Sequence, residues 1–477
     1  MKRVMARTTP MRQRAPEAML PGDYPDPSVL RVGETFYLTA SSFEYYPGLL
    51  IWKSTDLVRW QRVGHALRRY VGSVYAPDFV EHNGIYYIYF PAGGTNWVVT
   101  APHPEGPWSE PVDLAVGHID PGHAADEQGR RFLHLSDGYL VPLTADGLAV
   151  TGKPEKVYDG WGYPADWLVE GFCLEAPKLT RRNGFYYLTV AEGGTAGPAT
   201  SHMVVSSRAL DLRGPWEHSP YNPIVHTTSA DERWWSKGHG TIFDDPAGRW
   251  YIVYHGYEQG FHTLGRQALL ERIEWTPDGW FRLRKSARRK PVGGCRDWIG
   301  LSDDFASDQL GLQWQFWKDS NAQRYDVGGG GLRLTGRGTE AGHSSPLLCI
   351  PAHHAYEVTC EIEVPDGVLA GLALFYDEAH CCGIGVAGRR LAVCRENWHE
   401  DAGERPAGSR LTLKIRNDRH QVSLLYGTGD TFTLVPRAYD LSSWHHNAFG
   451  GFLSLRIALF AAGQGTAEFR NFRYREI

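Results

Sequence analysis

Five times along this chain a glycine opens a short aromatic strand, and in four of the five an acidic side chain stands six to nine residues upstream. The segments are Asp26 before Gly33-Glu-Thr-Phe-Tyr-Leu, Asp78 before Gly84-Ile-Tyr-Tyr-Ile-Tyr, Asp120 before Gly129-Arg-Arg-Phe-Leu, Glu175 before Gly184-Phe-Tyr-Tyr-Leu, and His239 before Gly248-Arg-Trp-Tyr-Ile-Val-Tyr. The glycines recur 45 to 64 residues apart, a spacing that suits the four-stranded blade of a β-propeller. The runs that follow them are aromatic and β-branched, are bounded by turn residues and lack helical periodicity. A second element repeats between them, as Gly106-Pro-Trp108, Gly214-Pro-Trp216 and, in the first unit, Ser54 to Trp60. Two kinds of repeat outweigh the alternative of unrelated hairpins, and an all-β, five-bladed propeller is predicted. Repeats place equivalent positions at equivalent points around an axis, so residues spread over more than 200 positions should converge at one mouth.

The pattern stops after Gly279-Trp-Phe, and a basic stretch from Arg282 to Lys290 leads into Leu301-Ser-Asp-Asp-Phe305. Alternating strands follow at Leu332, Tyr356, Ala370, Arg410 and Gln421, the signature of a β-sandwich. The expected organisation is a disordered extension over 1–19, a propeller over 20–285, a linker over 286–300 and a sandwich over 301–477. A net charge of -5 gives no basic field for nucleic acid. No stretch approaches the roughly 20 apolar residues of a membrane helix. The Arg-rich first twenty residues lack the apolar centre of a secretory signal, so a cytoplasmic location is expected, with secretion the alternative if a leader has been removed. The seven cysteines are an odd number without zinc-site spacing and suit a reduced compartment. Cys173, two residues before Glu175, reads as a small buried hydrophobe rather than a catalytic thiol.

Carboxylates gathered around one pocket, with no phosphate loop and no metal-ligand cluster in the sequence, fit acetal hydrolysis. One protonated acid serves the leaving oxygen, and one ionised carboxylate activates water or attacks carbon. Asp26, Asp78, Asp120 and Glu175 are the candidates, and mutual repulsion would keep one of them protonated near neutral pH.

At these residues the sequence resembles family 43 of the glycoside hydrolases, in its β-xylosidase and α-L-arabinofuranosidase branch. The likeness runs from Tyr24-Pro-Asp26-Pro-Ser through Ser41-Ser-Phe-Glu-Tyr-Tyr-Pro-Gly48, Trp52 to Trp60, Ala76-Pro-Asp78, Ile119-Asp120-Pro, Glu175-Ala-Pro, Gly238-His239-Gly and Leu264-Gly-Arg266. It reaches Asp303-Asp-Phe and the closing Gly465-Thr-Ala-Glu-Phe-Arg-Asn-Phe-Arg-Tyr, similar to that branch's concanavalin-like sandwich. The resemblance implies Asp26 as general base, Glu175 as general acid and Asp120 as the group that tunes and orients the acid, with inversion at the anomeric carbon. It implies Arg266 on the sugar and the carboxylates, and His239 as an axial histidine that could approach a structural calcium, although no cofactor is required. Asp78 belongs to a tripeptide whose role looks mainly structural, while Phe43, Tyr46, Trp97, Trp167 and Trp235 are aromatics that could stack on a pentose or simply pack. The segment Asp120-Pro-Gly-His-Ala-Ala-Asp126 departs from the β-xylosidase pattern and leaves substrate preference open.

The expected partner is a xylo- or arabino-oligosaccharide cut from its end, foremost as a β-1,4-xylosidase, alternatively as an α-L-arabinofuranosidase. Two other readings compete: a retaining fructan hydrolase, whose Asn-Asp-Pro-Asn start is absent, and a carbohydrate-binding propeller without activity. The sandwich could bind polysaccharide, wall off one side of the site or support a homo-oligomer.

Overall fold

The computed structural model describes residues 15–285, 299–319, 323–396 and 398–477. Five antiparallel sheets follow one another along the first part of the chain. Their first strands are Ser28–Val32, Asp78–His82, Gly122–Ala125, Glu175–Arg182 and Trp234–Asp244. These five adjoin one another in cyclic order and line the axis, so the arrangement is a five-bladed propeller. All five repeat glycines turn the first strand into the second with positive φ. An added Cβ would meet nothing at any of them, so the backbone angle and not space selects glycine. At Asn83-Gly84 and Asn183-Gly184 both turn residues have positive φ, the two-residue hairpin turn whose twist matches the flanking strands.

The ring is closed by the N-terminus. Ala18–Leu20 pairs antiparallel with Arg266–Trp275 as an outer strand of the fifth blade, with Ala18 opposite Leu269. The extension expected over 1–19 therefore ends inside the propeller: Ala18 and Met19 are core residues, and residues 1–14 lie outside the described residues. Most of the expected linker, residues 286–298, also lies outside them. Among the described residues no helix is long and apolar enough to cross a membrane.

The second domain packs an eight-stranded sheet on a seven-stranded one around a single large apolar core. Strand Arg410–Asp418 shows how the pattern works: Leu411, Leu413 and Ile415 turn inward and are buried while their neighbours face out. The two domains share a sheet. Tyr45–Tyr46, from the first blade, pairs with Gln315–Trp317 and becomes the edge of the eight-stranded sheet. Behind this seam lies a buried polar network. Arg456 stacks 3.3 Å over the Tyr45 ring, donates to Gln315 Oε1 at 2.8 Å and approaches Asp23 at 3.7 Å, while Gln315 donates to Pro47 O at 2.8 Å.

Candidate active site

The heads of the inner strands are kinked at the axis. Asp26, Asp120, Ala176 and His239 all have φ between 56° and 59°. Asp26 and Asp120 each stand two residues before their strand, His239 sits in a bulged stretch of the fifth inner strand, and Ala176 forms the bulge after Glu175. Four blades thus turn side chains into one well.

Asp26 is the most heavily bonded group there. Its Oδ1 receives Arg266 Nη1 at 3.0 Å and lies 2.5 Å from His239 Nδ1 and 3.0 Å from His255 Nδ1. Its Oδ2 accepts the Ser41 hydroxyl at 2.5 Å. Burial alone would raise this carboxyl, but the Arg266 guanidinium, with His239 and His255, holds it well below the usual carboxylate range. His239 bridges onward, its Nε2 standing 3.0 Å from Asp120 Oδ2, and the same oxygen accepts the Ala176 amide at 3.2 Å. Burial and the negative charge of Asp26 push Asp120 up to about 6, against the opposing pull of His239 and Lys178. Glu175 keeps 21% of its side chain open to the well. Burial first, then the charges of Asp120 and Asp26, raise its carboxyl well above the normal range. One well therefore holds a carboxylate kept ionised and a carboxylic acid kept protonated, which is what proton delivery paired with proton removal requires.

Arg266 lies between two rings, Phe43 from the first blade at 5.6 Å and Phe452 from the sandwich at 5.4 Å. Phe452 is held by stacking on His446 at 4.0 Å and by its amide, which donates to His446 Nδ1 at 2.8 Å. The sandwich thus forms one wall of the site, as one of the roles open to it in the sequence allowed.

The structure brings Asp26, Asp120, Glu175, His239 and Arg266 together, with Phe43 beneath the guanidinium. Two other candidates it assigns elsewhere. Asp78 is buried and its carboxylate is fully used, receiving Lys178 Nζ at 2.9 Å and the His123 amide at 2.7 Å. Tyr46 is buried, donates its hydroxyl to Gly72 O at 2.7 Å and belongs to the shared sheet, so it offers no face to a sugar. The tryptophans also pack. Trp97 donates to Ala92 O at 3.0 Å, Trp235 donates to the Ala230 and Glu232 carbonyls at 3.1 Å and sets its ring against His262, and Trp167 stacks on His226 at 4.4 Å. Cys173 is exposed, not buried, and partial desolvation with the charges of Glu175 and Glu170 lifts its thiol to about 11, far from a nucleophilic thiolate.

Sequence reasoning missed Ser41, His255 and His202. A shared signal could have found the first two: antiparallel hairpins return the ends of second strands to the mouth where first strands begin, and Ser41 and His255 lie there. Two groupings, Asp26–His239–His255 and Asp120–Glu175–His239, each bring one ligand atom per residue within 4.8 Å of one another. They do not fit the calcium considered for His239. That ion takes six to eight oxygen ligands, whereas these sets include nitrogen donors and both His239 nitrogens are already engaged by carboxylate oxygens.

Comparison with known proteins finds relatives along both parts of the chain. Residues 16–281 match the family model described as glycosyl hydrolases family 43, and residues 302–475 match the β-xylosidase C-terminal concanavalin A-like domain. The chain is 32% identical to a xylosidase/arabinosidase of Butyrivibrio fibrisolvens over 94% of its own length and 95% of that protein's. It is 28% identical to a non-reducing end α-L-arabinofuranosidase of Bacteroides ovatus, over 94% of its own length and 91% of that protein's. Among solved structures, the protein BlXynB of Bacillus licheniformis superimposes with a TM-score of 0.84 at 27% identity, covering 96% of this chain and 99% of that one.

Proposed function

The chain belongs to family 43 of the glycosyl hydrolases, and on that premise we propose that it is an exo-acting, inverting enzyme that removes a terminal pentose, foremost xylose from β-1,4-xylooligosaccharides. The observation that carries this reading is two carboxyl groups of one well in opposite surroundings: Asp26 receives Arg266 Nη1 at 3.0 Å, which draws it well below the usual range, while Glu175 is set beside Asp120, where burial and that charge raise it well above. Glu175 gives its proton to the glycosidic oxygen as the C–O bond breaks. Asp26 takes a proton from the water whose oxygen bonds to the anomeric carbon from the opposite face, so the free sugar emerges with inverted configuration. Asp120 raises the acid by its charge and, through the Ala176 amide, fixes the backbone beside Glu175. Arg266, desolvated between two rings, keeps the base ionised and is placed to donate to sugar hydroxyls. In this scheme Arg266 supplies the positive charge at the base.

The names of the relatives support α-L-arabinofuranosidase action as the second reading. Parallel assay on p-nitrophenyl β-D-xylopyranoside and α-L-arabinofuranoside, with proton NMR of the first sugar anomer released, tests the whole proposal. Faster turnover of the xyloside with α-xylose appearing first is expected. Hydrolysis of neither substrate would remove both readings, and β-xylose as the first product would remove inversion.

A further inference from the structure

His202 is a tightly held group beside the site to which the mechanism assigns no part. It stands just before the third strand of the fourth blade, Met203–Ala209, and none of its side chain is exposed. Neither ring nitrogen has a hydrogen-bond partner among the described residues, although leaving a buried polar group unpaired is costly. The ring cannot easily turn away to find one. It lies flat on His255, with centroids 5.3 Å apart and planes within 8°, and meets His239 edge-on at 5.9 Å. Its back is closed by Gly238, where a Cβ would come to 1.6 Å from His202 Cδ2, so only glycine allows the ring this position. The acidic atom it faces is Glu175 Oε1, 3.9 Å from Nε2, just outside hydrogen-bond reach.

We propose that His202 is the positioning partner of the catalytic acid, donating Nε2–H to the Glu175 carboxylate once that group has given up its proton. The inference rests on the reading of Glu175 as the acid. While Glu175 is protonated it carries no charge and gains little from a donor. When the proton passes to the glycosidic oxygen, a negative charge appears beside Asp120 and Asp26, and closing the gap by about 1 Å forms a charge-assisted hydrogen bond. Such a bond is absent in the ground state and grows in the transition state, the condition for accelerating a step rather than merely binding. Burial, with the neighbouring His255, His239 and Arg266, holds His202 well below the ordinary imidazole range. The ring therefore stays neutral and is a donor rather than a competing acid.

The test compares His202→Met with His202→Gln, side chains of similar size that differ in carrying an N–H donor. Each is assayed on xylobiose, which needs protonation of its leaving group, and on 2,4-dinitrophenyl β-xyloside, which does not. The methionine variant is expected to lose about 10- to 100-fold more on xylobiose than on the aryl glycoside, the worth of one hydrogen bond to a charged group. Its alkaline limb in kcat/KM should move to higher pH, because the ionised acid has lost a donor, and glutamine should restore much of both. Equal losses on the two substrates, or no difference between methionine and glutamine, would overturn the proposal. If neither variant folds, 15N spectra of histidine-labelled wild-type enzyme decide. The His202 Nε2 resonance should respond as Glu175 ionises, and an unresponsive resonance rejects the contact. Glu175→Ala separates the two levels of the argument: a selective loss on xylobiose there, with none in His202→Met, leaves the acid assignment standing and removes His202.

Discussion

Replacing Asp120 by asparagine should lower the pH at which the enzyme loses activity on its alkaline side. The substitution keeps shape and leaves an amide oxygen able to accept from Ala176, but it removes a negative charge with one oxygen within 4.8 Å of a Glu175 oxygen. At that separation, two unit charges interact by about 3.5 kcal/mol at an effective dielectric near 20, or about 2.5 pH units on the acid. Glu175 keeps part of its side chain in contact with the well, so solvent screening reduces the expected shift to about 1–2 units. The sign follows from the state of each group. Asp120, raised to about 6, is ionised across the alkaline limb and makes deprotonation of Glu175 harder. Without that charge the acid gives up its proton at lower pH. The assay is kcat/KM against pH on xylobiose, with carbon NMR titration of the Glu175 carboxyl as a direct check. An alkaline limb that stays in place or moves upward would refute the electrostatic role of Asp120. Loss of xylobiose activity at every pH, with dinitrophenyl xyloside still cleaved, would make Asp120 itself the acid.

Two further outcomes bear on what surrounds the acid. Lys178→Met leaves the buried Asp78 carboxylate with only the His123 amide, and breaking such a pair costs about 3–5 kcal/mol. The melting temperature followed by circular dichroism should fall on the order of 10 °C, and an unchanged value would show that the Asp78–Lys178 pair does not staple the inner strands. Prolonged dialysis against EDTA should leave turnover of both aryl pentosides intact, because His239 has no ring nitrogen free for an ion. A loss restored by added calcium would contradict that reading of the axial histidine.

How much of this site was legible in the chain follows from which contacts repeat. The blade repeat carries the heads of the inner strands to one place, so Asp26, Asp120, Glu175 and His239 could be grouped without coordinates. The same rule gathered Asp78 with the other carboxylates, although its tripeptide already read as mainly structural, and the form of its strand head accounts for the difference. Asp26 and Asp120 precede their strands by two residues in a left-handed kink, and Glu175 is followed at once by the bulge at Ala176, whereas Asp78 opens its strand in unbroken register, paired with Tyr89. It therefore sits lower in the channel, level with Lys178, which follows Glu175 by three positions along the fourth inner strand. A repeat in sequence fixes which blade a residue belongs to, but a kink or bulge at the head of the inner strand decides whether a carboxylate turns into the well or meets a buried lysine.

Tyr46 and Phe452 were beyond reach for a different reason. Tyr46 pairs with Phe316 across 270 positions, and Phe452 meets Arg266 only because the sandwich docks there. Neither contact has a local pattern or a repeat to announce it. The cost of such long-range placement explains the shared sheet. A loop from a separately folded domain could wall a catalytic pocket only if the two bodies were held in fixed register. Tyr45–Tyr46, the Gln315 amide and the buried Arg456 provide that register close to the chain leading into Asp26. Asp23 makes the connection explicit: it faces Arg456 on the sandwich side and accepts the backbone amide of Arg266 on the other at 3.2 Å. The guanidinium paired with Asp26 is thus anchored by the network that joins the domains, so the sandwich contributes to the site through position, holding Arg266 in place.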